Sequence, residues 1–246
     1  MYTAHWKGKV LMKLWQPFAV SVCLLFLAVV PAYCQQGTFG IDVGSTSDKF
    51  GDLARNSAVE ADIEGQFVVY HSKDAQRGTN VVAGGELRFP FDTNNHATEY
   101  ALFVGPIFRV GGNFSFGFHI QPKEIVLPSS LVNGIAFNRY NMRLLELPLV
   151  LEYKFGSEHH AFIQAQVTPE FTPHFINPAS GPTPYPHPSF DHGYALRGVA
   201  GYNFGRWYVK ATYENRYFKF DPTLGNPDGL YNWRTNLATA GVGISF

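Results

Sequence analysis

The sequence predicts an all-β protein, an antiparallel up-and-down β-barrel in one domain, and three observations predict it. Apolar and polar residues alternate with period two over most of the chain beyond residue 36, the pattern of a strand with two unlike faces. Tight glycine turns mostly alternate with long connections rich in Pro, Gly, Asn, Asp or Ser, as expected when loops gather at one end of a barrel and turns at the other. The only cysteines, Cys23 and Cys34, lie in the first 34 residues, so the rest of the chain has no disulfide framework and needs another device to hold it together. A closed sheet, which leaves no edge, is such a device.

Residues 1–34 read as a secretory signal peptide. Lys7, Lys9 and Lys13 precede an apolar run from Phe18 to Val30, and Pro31, Ala32, Tyr33 and Cys34 follow before polar Gln35 and Gln36. That run is shorter than the roughly 20 residues of a spanning helix. Removing the leader leaves a domain of 212 residues, 35–246. The 19 bases and 19 acids of the whole chain become 16 against 19, a net charge of −3, because the leader holds three Lys and no acid. No basic surface speaks for a nucleic-acid partner.

Ten strands follow from the alternation: 37–45, 59–71, 79–91, 98–110, 113–121, 140–155, 160–175, 191–203, 206–220 and 232–246. In 206–217, Trp207, Val209, Ala211, Tyr213 and Tyr217 share one face, and Tyr208, Lys210, Thr212, Glu214 and Arg216 the other. In 143–155, Leu145, Leu147, Leu149, Leu151, Tyr153 and Phe155 oppose Glu146, Glu152 and Lys154. In 161–171, Ile163, Val167 and Phe171 oppose Gln164, Gln166 and Glu170. Gly111-Gly112, Gly156–His159 and Phe204-Gly205 are the tight turns, while 46–58, 122–139, 176–190 and 221–231 are the long connections. Ten strands use about 21 residues each with their connections; eight, the alternative, would use about 26.

A barrel in water turns its apolar faces inward, and one in lipid turns them outward around a polar lumen. Here the polar faces collect charges of both signs: Glu86, Arg88, Glu146, Glu152, Lys154, Arg197, Lys210, Glu214 and Arg216. They can pair inside a lumen, whereas one Lys or Arg at mid-depth on a lipid face costs ~2–4 kcal/mol. Aromatics near strand ends, such as Tyr153, Phe155, Tyr194, Tyr202, Trp207 and Tyr217, suit the two interfaces of a bilayer. The expected setting is therefore membrane lipid.

The last strand sharpens this. Ala238, Ala240, Val242, Ile244 and Phe246 place apolar residues at every second position before a terminal Phe. This resembles the C-terminal signature of bacterial outer-membrane β-barrel proteins, and 145–155 and 102–109 resemble strands of small OmpA-like and porin-like barrels of that family. The resemblance implies a Gram-negative outer-membrane location, contact with outer-membrane lipid, and recognition of the last strand by the barrel-assembly machinery. It also implies an even strand number and a narrow interior filled by side chains.

The sequence points to no cofactor or metal site. His159 and His160 form a turn pair, and His174, His187 and His192 flank one loop without metal-ligand spacing. A rim enzyme, protease or lipid-modifying, would draw on Glu170, His174, Asp191, His192 and Asp221, but Asp191 and His192 are strand neighbours and are expected to face opposite ways. Loop 176–190 has five Pro, a stiff, extended composition suited to a surface ligand. The expected function is a non-enzymatic barrel with a structural, adhesive or surface-interaction role; the alternatives are a narrow channel for small solutes or ions and the rim enzyme.

Overall fold

The computed structural model describes residues 36–50, 56–73, 77–92, 96–126, 141–157, 159–176, 189–221 and 232–246. The leader expected over 1–34 lies outside them. The regular structure within them is entirely β: β1 Gly37–Phe50, β2 Asn56–Tyr70, β3 Arg77–Pro90, β4 Thr98–Val110, β5 Phe114–Phe118, β6 Gln121–Val126, β7 Asn141–Glu146, β8 Leu149–Phe155, β9 His160–Ile176, β10 Ser189–Asn203, β11 Trp207–Asp221 and β12 Asn232–Ser245.

Twelve segments make ten barrel strands. β5 and β6 are two parts of one strand, since both pair with β4 and Ile120 between them bridges to Val104. β7 and β8 are likewise parts of another, both paired with β9 and separated by Leu147-Pro148. Pro148 has no N–H for the ladder, but its carbonyl accepts from the His119 amide at 3.0 Å and holds the two broken strands together. Every neighbour is antiparallel, and the β9–β10 and β1–β12 pairings close the sheet. At that seam the Gly37 and Phe246 backbones exchange two hydrogen bonds, of 2.8 and 3.0 Å.

The turns expected at glycine are present. Gly111, Gly156 and Gly205 take φ of 74°, 106° and 94°, left-handed backbone that glycine adopts without strain. Two segments expected as loop are strand instead. β1 continues to Phe50, and the fifth strand continues through β6 to Val126. Their polar residues look like loop because they are read without an inside: Thr46, Asp48 and Lys123 are all buried in the lumen.

The alternation sorts inside from outside. Along β11, Tyr208, Lys210, Thr212, Glu214 and Arg216 are buried, while Trp207, Val209 and Tyr213 are exposed. Ile41, Leu102, Leu149, Leu151, Ile163, Leu196 and Val242 stand on the same outer wall. The outward positions carry no charge over the middle of the described strands. Charge returns toward the strand ends: at the turn end with exposed Arg77, and at the loop end, where Arg143 meets Glu124 at 3.0 Å, Lys49 is the cross-strand neighbour of Arg234, and Lys219 meets Asp191 at 2.9 Å. The strands are 13–17 residues long where unbroken, and about 9–11 suffice to cross a bilayer. The barrel therefore projects beyond the lipid at its loop end.

Candidate functional site

The lumen is where the chain concentrates its chemistry. Five cations, Arg88, Lys123, Arg197, Lys210 and Arg216, meet nine carboxylates, Asp42, Glu60, Asp62, Glu64, Glu86, Glu99, Glu146, Glu170 and Glu214. Each stands on an inward strand position, where period two delivers it.

Arg88 on β3 is the hub. Its guanidinium donates to both oxygens of Glu214 on β11 at 2.9 and 3.1 Å, a bidentate pair that spans the lumen. It also donates to Glu86 at 2.7 Å and lies 3.3 Å from Glu60. Arg216 on β11 reaches the opposite wall, donating to both oxygens of Glu99 on β4 at 2.8 Å, and it also lies 3.1 Å from Glu170 on β9. Lys123 adds a bond of 2.7 Å to Glu99. Arg197 on β10 crosses to Glu64 and Glu86 at 3.1 and 3.2 Å. Lys210 pairs with Asp42 at 3.0 Å and also with Glu64. Fork-shaped guanidinium groups suit this work, because each can serve several carboxylates in fixed geometry.

Aromatic side chains flank the network at both ends. Toward the turns, the rings of Tyr208, Phe103 and Phe162 lie against a glycine wall. A Cβ at Gly243 would come within 2.2 Å of the Tyr208 ring, one at Gly84 within 2.4 Å of Phe103, and one at Gly201 within 2.4 Å of Phe162. Toward the loops, buried Phe218 and Trp233 stack at 5.1 Å. Trp233 Nε1 and Thr235 Oγ1 donate to Asp48, whose other oxygen lies 2.8 Å from His96 Nδ1. His96 thereby ties the β3–β4 connection into the mouth of the barrel.

The residues expected in the lumen divide. Glu86, Arg88, Glu146, Arg197, Lys210, Glu214 and Arg216 are brought together. Glu152 and Lys154 are set apart near the turn end, pairing with each other at 3.3 Å and partly exposed. Asp42, Glu60, Asp62, Glu64, Glu99 and Lys123 belong to the network and were missed by sequence reasoning. The signal that could have found them is position alone: Asp42, Glu60, Asp62 and Glu64 alternate with apolar Ile41, Val43, Ala61 and Ile63.

The expected rim site also divides. Glu170 does not face water; it is buried against Arg216. Asp191 and His192 do not face opposite ways, because the β10–β11 register shifts at Phe190/His192 and a bulge turns them together, 3.1 Å apart and exposed. Lys219, donating to Asp191, holds its carboxyl below the ordinary carboxylate range. His174 and Asp221 stand on β9 and β11, with side chains outside the described residues, as are His187 and most of loop 176–190. Ala238, Ala240, Val242, Ile244 and Phe246 all lie exposed on the outer wall of the closing strand.

A closed antiparallel barrel with an apolar exterior and an ion-paired interior is a membrane-spanning barrel, and this chain is a small membrane-spanning β-barrel of ten strands. No protein-family description matches the chain, and no curated relative does. Among solved structures it is similar to the outer-membrane protease OmpT of Escherichia coli, at 11% identity and a TM-score of 0.42 over 87% of this chain and 98% of that one. It is also similar to Neisserial surface protein A, at 9% and 0.36 over 85% and 97%. The attachment invasion locus protein Ail of Yersinia pestis, in complex with the heparin analogue sucrose octasulfate, shows 9% and 0.29 over 86% and 98%. The likeness is remote, and the barrel stands on its own strand pairing.

Proposed function

We propose that this barrel is non-enzymatic and acts through its outer surface, in a structural, adhesive or surface-interaction role, with its lumen serving as a structural core. The observation that supports this reading is the tying of opposite walls by ion pairs, Arg88 to Glu214 above all. A solute crossing the barrel would have to part these pairs, and a charge left unpaired in a water-poor interior costs several kcal/mol. The rim groups support it too, since Glu170 is engaged by Arg216 and Asp191 by Lys219. The surface role then falls to the outer connections, with proline-rich 176–190 as the candidate contact for a ligand.

In planar bilayers the purified protein is expected to give no stable conductance steps. Steps that disappear on changing Lys210 or Glu214 would instead mark a charge-lined channel and overturn this reading. The outward, apolar closing strand is the part we assign to the assembly machinery. Deleting Phe246 is expected to reduce insertion into the outer membrane in cells, while the purified chain still refolds in detergent. Undiminished insertion would remove that role.

A further inference from the structure

The network described above sets nine carboxylates against five cations, and the imbalance has a focus. Asp42 and Asp62 face each other across β1 and β2, and Glu64 follows at the next inward position of β2. One carboxylate oxygen from each of the three lies within 4.8 Å of the others. Oxygens bound to a single calcium ion at 2.3–2.6 Å stand up to about 5 Å apart, so three such groups can share one ion.

Asp62 is the group that points to a ligand. It is fully buried, and neither of its oxygens accepts a hydrogen bond. Its nearest cations, Arg88 and Arg197, stop at 3.9 Å, at the limit of an ion pair, and are directed to other carboxylates. A buried carboxylate without close donors is costly unless something else neutralises it. The absence of a side chain at Gly241 makes room for the Asp42 carboxylate, since a Cβ there would fall 1.8 Å from its Oδ1.

We propose that Asp42, Asp62 and Glu64 form an internal binding site for a hard divalent cation of the calcium or magnesium class. Such ions take oxygen ligands and favour clustered carboxylates. Lys210, which reaches Asp42 and Glu64 on a flexible stem, competes for the same oxygens and swings aside when the ion binds. Period two places Asp62 and Glu64 on one face of β2, but only the β1–β2 register brings Asp42 beside them.

Terbium, a luminescent stand-in for calcium, tests the proposal on the full folded barrel in detergent. Tyr208 is placed to sensitise it, since its hydroxyl lies over Gly40, the cross-strand partner of Glu64. The wild-type protein is expected to show saturable, calcium-displaceable terbium luminescence. Asp62→Asn, which keeps the shape, is expected to lose it while retaining the folded gel mobility. Lys210→Met is expected to bind terbium more tightly. Luminescence that does not saturate, that persists in Asp62→Asn, or that is absent from the wild-type barrel would overturn the site. None of these readings depends on whether the lumen conducts.

Discussion

Arg88→Ala is expected to destabilise the barrel by about 3–5 kcal/mol, because it removes one side of a buried network and leaves the other side charged. Glu214 loses its bidentate partner, and Glu60 and Glu86 lose their closest one or one of two. Urea unfolding in detergent micelles measures the loss, and the heat-dependent gel shift is expected to complete at a lower temperature. The companion Arg88→Met with Glu214→Gln is expected to recover part of the stability, because it removes the stranded charge as well as the pair. Lys154→Ala serves as the control. That side chain is partly exposed and pairs only with Glu152, so its loss is expected to stay within about 0.5 kcal/mol. Equal effects at Arg88 and Lys154 would refute the network as the stabilising core.

Gly44→Val is expected to prevent closure. Gly44 sits on β1 opposite Thr239 at the seam with β12. A Cβ there would meet the Ala238 carbonyl oxygen at 2.0 Å and the Thr239 Cα at 2.5 Å. Both are backbone atoms, so no rotamer change relieves the clash; either the seam opens or β1 shifts. Overpacking of a well-packed site costs about 1–3 kcal/mol and occasionally more, and here the whole first-to-last pairing is at stake. A purified Gly44→Val chain is expected to refold poorly and to show no heat-dependent gel shift. Gly198→Ala is the matching control: nothing lies within 4 Å of the added Cβ. A normal barrel from Gly44→Val would show that the seam can yield.

The barrel was largely legible in the sequence because lipid and lumen impose opposite demands on neighbouring residues. On β11, Val209 and Lys210 could not exchange faces without placing a cation in hydrocarbon and a gap in the network. Glycine marked the tight turns, since left-handed backbone at Gly111, Gly156 and Gly205 suits few other residues. Where the reading failed, polarity misled it. Thr46 to Asp48 and Pro122-Lys123 resemble loop, yet they continue strands, with Thr46, Asp48 and Lys123 buried inside. At Asp191-His192 a bulge, invisible to strict alternation, turned two expected opposites into one exposed pair.

The sequence by itself determined the class of object: an all-β chain with ten strands' worth of alternation, charges gathered on one set of faces, and an apolar closing strand ending in Phe246. Only the tertiary structure decided which charges meet. Glu99 is 117 residues from Arg216, and Glu64 is 133 from Arg197. Such pairs form because closure and strand register bring distant inward positions to one height across a narrow lumen, where low dielectric leaves a charge little alternative to the partner it faces.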